Sequence, residues 1–244
     1  MKITIKRFSN DKATENKVES YEVNQKNLLK AFFEIKTNID PTLTFRCGCK
    51  SGVCGSCAIR VNGVEKLACK TKVKDGDFIE AIKNSDIIKD LVVDVSHETF
   101  LIKKSRSFIE ENQEVIVSQK DINIIDVQSN CILCNSCYSS CPVYDVNKEF
   151  LGSFALTRAL RYINDKKSLS GANILASIQV NGIWDCTLCS ACTLVCPQGI
   201  DPKADIMQLQ NISVQNGYSN PNMQSSDFDM NFDDRFGGFN PNGF

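Results

Sequence analysis

One histidine and one tryptophan occur among 244 residues, and no run of 18 apolar residues occurs anywhere. Each scarcity excludes something. A Rieske centre needs two histidines on one iron, so His97 alone cannot build one, and a surface or hydrogen-bonded role is expected for it. A helix that crosses a bilayer needs about 20 mostly apolar residues in a row, so the chain is not expected to span a membrane itself. The opening Met1-Lys-Ile-Thr-Ile-Lys-Arg-Phe lacks the apolar core of a secretory signal. No basic cluster is interleaved with aromatics, so no nucleic-acid partner is expected. No carboxylate pair, nucleophile–base set or phosphate loop stands out, so no residue is assigned a catalytic role.

What is abundant is cysteine, with 13 residues. A secreted disulfide scaffold would explain that number, but 12 of the 13 fall into three groups of four with metal-ligand spacing. Together with the absent signal, this points to cluster assembly in a reducing compartment. The stretch from Cys131 reads Cys131-Ile-Leu-Cys134-Asn-Ser-Cys137-Tyr-Ser-Ser-Cys141-Pro142, or C-x2-C-x2-C-x3-C-P. It returns 55 residues later as Cys186-Thr-Leu-Cys189-Ser-Ala-Cys192-Thr-Leu-Val-Cys196-Pro197. This is the bacterial ferredoxin run, twice. In such a run three cysteines hold one cluster, and the fourth, before the proline, ligates the other. Cys131, Cys134, Cys137 and Cys196 are therefore expected to hold one 4Fe–4S cluster. Cys141, Cys186, Cys189 and Cys192 are expected to hold a second, or a 3Fe–4S cluster without Cys189. Two C-x2-C zinc sites are the competing reading, but zinc does not require a doubled run ending in proline.

A third group lies upstream: Cys49, Cys54, Cys57 and Cys69, spaced C-x4-C-x2-C-x11-C. This is the plant-type binuclear pattern and predicts a 2Fe–2S centre. Glycines 48, 52 and 55 let the loop curl and aim N–H groups at sulfur. Cys47 is left over, read as a free thiol under the loop or an alternative ligand.

Around these groups the pattern changes along the chain. Ile3, Ile5 and Phe8 suggest one strand, Val18, Tyr21 and Val23 a second, with the hairpin turn from Asp11 to Lys17. Asn27 can cap a helix from Leu28 whose apolar face is Leu28, Leu29, Phe32, Phe33 and Ile35, stopped by Asp40-Pro41. Ala58–Val61 is a strand, Asn62-Gly63 a tight turn, and Asp77–Ile82 the closing strand. From 122 onward the pattern is helical: Phe154–Ile163 with Ser153 as cap and Ser170-Gly171 as breaker, Ala172–Val180, and a helix from Asp201-Pro202 to about Gln210. Trp184 is expected to shield a cluster. The fold class is thus α+β. A β-grasp 2Fe–2S ferredoxin domain covers 1–97, a mostly helical two-cluster ferredoxin domain 98–212, and a disordered or partner-docking tail 213–244. Residues 1–90 carry 17 Lys/Arg against 12 Asp/Glu, so the first domain could offer a positive face, or simply solvated lysines.

Further residues outside the cysteine groups carry a resemblance: Phe45-Arg46, Cys54-Gly-Ser-Cys57, Leu67-Ala-Cys69, Asp90-Leu-Val-Val-Asp94, Cys131-Ile-Leu-Cys134, Phe150-Leu-Gly152, Arg161-Tyr162 and Cys196-Pro197. With the order of the domains, they resemble the iron–sulfur subunit of the succinate dehydrogenase and fumarate reductase family, over residues 1 to about 212. Molybdenum hydroxylases also follow a binuclear domain with a helical one, but theirs holds another 2Fe–2S centre. The resemblance implies an electron-transfer subunit with no flavin of its own. Its partners would be an FAD-containing flavoprotein and a membrane anchor that meets a quinone. It implies a peripheral place on the cytoplasmic face of a membrane, or the periplasmic face if a signal-bearing flavoprotein carries it out. The common family pattern has only three cysteines in the second run and holds a 3Fe–4S centre; Cys189 departs from it. Val143, Val146 and Thr187 stand where the family has its usual quinone-side residues. These departures resemble the methylmenaquinol:fumarate reductase type, whose anchor is cysteine-rich, and point to a menaquinone-type or thiol partner. The alternative is a carrier subunit of another flavin dehydrogenase or of a thiol- or heterodisulfide-linked reductase.

Overall fold

The computed structural model describes residues 1–8 and 17–221. Strand β1 (Lys2–Lys6) buries Ile3 and Ile5 on one face, as their alternation requires, and pairs antiparallel with β2 (Val18–Glu22). The expected turn between them falls on 9–16, outside the described residues. Helix α1 (Leu28–Asn38) follows, and Asn27 Oδ1 accepts from the Lys30 N–H at 3.2 Å, as a cap should. Its buried face is Leu28, Leu29, Ala31, Phe32 and Ile35. Phe33 is not part of that face: it is turned outward, edge-on to Phe45 at 5.1 Å, with Lys50 Nζ 5.1 Å from its ring centre. The helix ends at Asn38, just ahead of Asp40-Pro41.

Strands β3 (Ala58–Val61) and β4 (Val64–Leu67) form a hairpin around Asn62-Gly63, both at positive φ. Then β5 (Phe78–Glu80) inserts between β1 and β3 to give the order β2-β1-β5-β3-β4, with β1 and β5 parallel. One side of this mixed sheet packs on α1. At its edge lies a small ribbon of β6 (Ile87–Lys89) and β7 (Val92–Val93). A buried charged knot fastens the start of the sheet. Arg7 donates to Asp90 at 2.7 and 3.1 Å, to Glu19 at 2.9 Å and to Tyr21 at 2.7 Å, and also reaches Asp40. Burial works against the Arg7 charge, but these acceptors more than offset it and hold its pKa above the usual value.

The second half is helical: α2 (His97–Lys104), α3 (Gln119–Ser129), α4 (Ser136–Ser139), α5 (Pro142–Val146), α6 (Ser153–Ile163), α7 (Gly171–Ser177), α8 (Ala191–Leu194) and α9 (Pro202–Gln215). Its core is built on α6, which packs against α2, α3, α4, α7 and α9. Several boundaries differ from expectation. Helix α2 begins well before 122. Ser153 lies inside α6 and makes no cap bond; Gly152, at φ +79°, takes the cap position because the Tyr144 ring lies where a Cβ would be. The helix ends at Ile163, as expected, with Asn164 as its cap; Ser170-Gly171 lie beyond it, where Gly171 opens α7 and Ser170 receives the Glu110 and Glu111 N–H groups at 3.0 Å on its Oγ. Helix α9 runs past Gln210 to Gln215, with Ser213 buried, so the first residues assigned to the tail are structured. Residues 222–244 lie outside the described residues.

Candidate metal centres

Cys49, Cys54 and Cys57 lie in the loop between α1 and β3, and Cys69 lies in a short 3-10 turn, Ala68–Lys70, directly after β4. Cys49 and Cys54 are exposed, whereas Cys57 and Cys69 are buried at the edge of the sheet core. The loop is a nest of N–H donors. Cys49 Sγ accepts from the N–H groups of Ser51, Val53 and Cys54 at 3.4, 3.3 and 3.3 Å, and Cys54 Sγ accepts from the Cys49 N–H at 3.3 Å. The Ser51 hydroxyl and these amides pull the Cys49 thiol down to about 5. Burial pushes Cys57 up to about 11. Cys47 is exposed rather than under the loop, and no hydrogen bond reaches its sulfur among the described residues. Cys49, Cys54, Cys57 and Cys69 fit a centre whose outer sulfurs accept from amides and whose inner sulfurs are buried against the sheet core.

The two ferredoxin runs share one backbone design. In the first, Leu133 and Asn135 have φ +50° and +61°; in the second, the corresponding Leu188 and Ser190 have φ +54° and +66°. Left-handed leucines are strained, yet this turn wraps each C-x2-C segment, and the Leu188 N–H lies 3.4 Å from Cys186 Sγ. Helices α4 and α8, which carry Cys137 and Cys192, pack on each other. The last cysteine of each run lies beside the sulfurs of the other run. Cys196 lines the same largely apolar cavity as Cys131, Cys134 and Cys137, with Ile132, Leu133, Phe154 and Ile200 completing the wall. Cys141 lies among the second-run sulfurs and is repelled by Cys192 and Cys189.

Burial is the leading cause that raises Cys131, Cys134, Cys137, Cys141 and Cys192, and Cys186 to about 11. Crowding by neighbouring sulfurs adds to it. Several thiolates cannot gather in an apolar space without positive charge among them, so the donor set fits a metal centre, and iron–sulfur clusters supply that charge. A multi-iron cluster needs ligands spread around a volume.

A family model for a 2Fe-2S iron-sulfur cluster binding domain matches residues 2–99, and one for a 4Fe-4S dicluster domain matches 127–200. The chain is 35% identical over 221 residues to the fumarate reductase iron-sulfur subunit of Escherichia coli O157:H7, covering 85% of this chain and 91% of that one. The chain belongs to the family of fumarate reductase and succinate dehydrogenase iron–sulfur subunits. It is also 32% identical over 237 residues to the 8-methylmenaquinol:fumarate reductase iron-sulfur subunit of Wolinella succinogenes, covering 89% of this chain and 74% of the relative. The solved Mycobacterium smegmatis Sdh1 complex in the apo form contains a chain of the same fold, with a TM-score of 0.78 at 24% identity, covering 89% of this chain and 97% of that one.

Sequence reasoning missed what surrounds the sulfurs of this iron–sulfur subunit. His97 is hydrogen-bonded, as expected, but its partner is Asn135 in the first run, at 3.0 Å, and it stacks on Tyr138 at 4.2 Å. Glu98 accepts from the Asn135 amide. Ser139 Oγ donates to Glu65 and receives the Lys83 N–H, each at 2.7 Å, fixing α4 to the sheet. Trp184 packs against the helical core and donates to Gln179 at 2.9 Å. Val143 is buried while Val146 is exposed, so only the latter is open to a partner.

Proposed function

We propose that this chain is the electron-transfer subunit of a membrane-associated fumarate reductase or succinate dehydrogenase. It would carry electrons between the flavin of a partner subunit and a quinone, of menaquinone type, through three iron–sulfur clusters. The observation that supports this most strongly is the joining of three four-cysteine sets, one on the sheet half and two crossed on the helical half, in a chain whose relatives are such subunits. Cys49, Cys54, Cys57 and Cys69 would hold a 2Fe–2S cluster. Cys131, Cys134, Cys137 and Cys196 would hold a 4Fe–4S cluster, and Cys141, Cys186, Cys189 and Cys192 a second. The sheet domain would extend to residue 97 and the helical one from 98. When bound, each cluster takes up and releases one electron. The chain's own part is to supply thiolates, aim amides at them and keep water from the inner sulfurs.

The partners follow from the same reading: an FAD-containing flavoprotein, and an anchor that reaches the quinone. No helix among the described residues is long and apolar enough to cross a membrane, so a separate anchor would hold the chain, on the cytoplasmic face. The test is reconstitution. The purified, cluster-loaded chain should contain no flavin and show no dye-linked succinate or fumarate turnover until its flavoprotein is added. Turnover by the flavin-free chain would overturn the reading.

A further inference from the structure

The binuclear loop meets the first ferredoxin run closely at Gly55. It sits between Cys54 and Cys57, with φ +73°. A Cβ built on it would lie 2.9 Å from Cys134 Cα, 2.9 Å from Cys134 Cβ and 2.9 Å from the Ile132 carbonyl oxygen. No side chain fits in that gap, and the atoms in the way are mostly backbone, which cannot swing aside. The loop is held from both sides of this contact. Behind it, the Ala58 N–H donates to the Gly55 carbonyl at 3.1 Å and ties the loop to β3. Ahead of it, Gln198 Nε2 donates to the Gly52 carbonyl at 2.9 Å, and Gln198 lines the cavity of Cys131, Cys134, Cys137 and Cys196.

We propose that Gly55 is a positioning residue that sets the gap between the binuclear centre and the first cubane site, with Gln198 as the strap that keeps the gap closed. The proposal rests on the electron-carrier reading. Tunnelling between two centres falls exponentially with their separation, so a residue that holds two ligand-bearing backbones in contact governs the rate without touching either set of sulfurs. Absence of a side chain is here the functional property. Gly55 is thus distinct from a glycine needed only for its turn, and Gly76 supplies the comparison: it has φ +82°, but a Cβ added there would meet nothing within 4 Å.

The test uses the full chain with all its clusters. Gly55→Ala and Gly55→Asn are compared with Gly76→Ala; asparagine tolerates positive φ, so Gly55→Asn isolates the steric wedge from backbone strain. Iron per chain and the spectrum of each centre should match wild type. The spin–spin broadening between the reduced binuclear centre and its neighbour should weaken in both Gly55 variants, and flash-induced electron exchange between them should slow several-fold. Gly76→Ala should change neither. Iron-replete Gly55 variants with wild-type broadening and wild-type exchange would overturn the proposal. Should the Gly55 variants fail to fold, Gln198→Ala gives the second measurement, with weakening in the same direction expected and an unchanged coupling refuting it. A wild-type chain whose centres neither couple nor exchange electrons would sink the carrier reading itself.

Discussion

The sheet half leaves Cys49 and Cys54 outside its core and buries only Cys57 and Cys69, whereas the helical half buries or half-buries every cysteine of its two runs except Cys189. In the first, Ile3, Ile5, Leu28, Phe32, Ile35 and Ile79 are fully or almost fully buried, while Val53 at the tip of the loop is 65% exposed. The Arg7 knot fastens β1 and β2 to Asp40 and Asp90 without any cysteine. In the second, the segments bearing ligands are four- and five-residue helices, α4, α5 and α8. Helices shorter than about 12 residues are marginal alone, and these add left-handed leucines and crowded, buried thiols. The same metal chemistry is therefore an attachment to one half and a keystone of the other. An exposed centre can meet a partner directly; a buried pair is insulated from water along the inner stretch of the route.

The comparison breaks most easily by removing iron. Structural metals supply on the order of 10 kcal/mol of folding free energy in small metal-built domains. Anaerobic chelation is expected to leave β1, β2, β3 and β5 protected in hydrogen exchange while 131–146 and 186–196 lose protection. Strand amides that open together with the helical segments would show that both halves depend on metal, and the contrast would fall.

Within the helical half, the crossing of the ligands gives the next largest effect. Cys196→Ser is expected to remove or convert the cluster of Cys131, Cys134 and Cys137, although Cys196 lies in the other run. Iron analysis together with the spectra of each centre checks this. Damage confined to the Cys186 site would mean that each run serves its own cluster. It would also remove the reason for treating the two runs as one folding unit.

The same contrast explains what could be read from the chain alone. The two cluster-binding domains were legible because cluster geometry dictates cysteine spacing, and spacing is written in sequence. The strands were legible because Ile3 and Ile5 alternate, and α1 because Asn27 and its apolar face mark it. Helix α2 was not, since only Leu101 of its residues is buried and no apolar stripe announces it. Phe33 misled because it follows Phe32; it covers Phe45 from outside instead of joining the core. The end of α9 was hidden because Ser213, a polar residue, is the one that packs. The contact of Gly55 with Cys134 and that of Gln198 with Gly52 join residues far apart in the chain, and no local pattern carries such pairs.

The smallest effect is the sharpest, because it concerns one iron. Cys189 is the residue that departs from the family's common three-cysteine run. The structure places it in the same turn as Cys134: Leu188 and Ser190 flank it at positive φ as Leu133 and Asn135 flank Cys134. Cys189 is exposed, and its sulfur lies near enough to raise Cys141, Cys186 and Cys192. A backbone that pays the strain of two left-handed non-glycine residues does so to aim something, and here the aimed group is a thiol. A fourth thiolate retains the corner iron that a 3Fe centre lacks. A 4Fe centre generally has the lower potential of the two, which suits a low-potential quinol donor and fumarate as acceptor. The air-free oxidised protein is expected to give no 3Fe signal in electron paramagnetic resonance, because an oxidised 4Fe cluster of this type is silent. Cys189→Ala should create that signal and lower the iron content by about one of the four irons of that site. A full 3Fe signal in undamaged wild type would refute the assignment, and with it the argument for a low-potential donor.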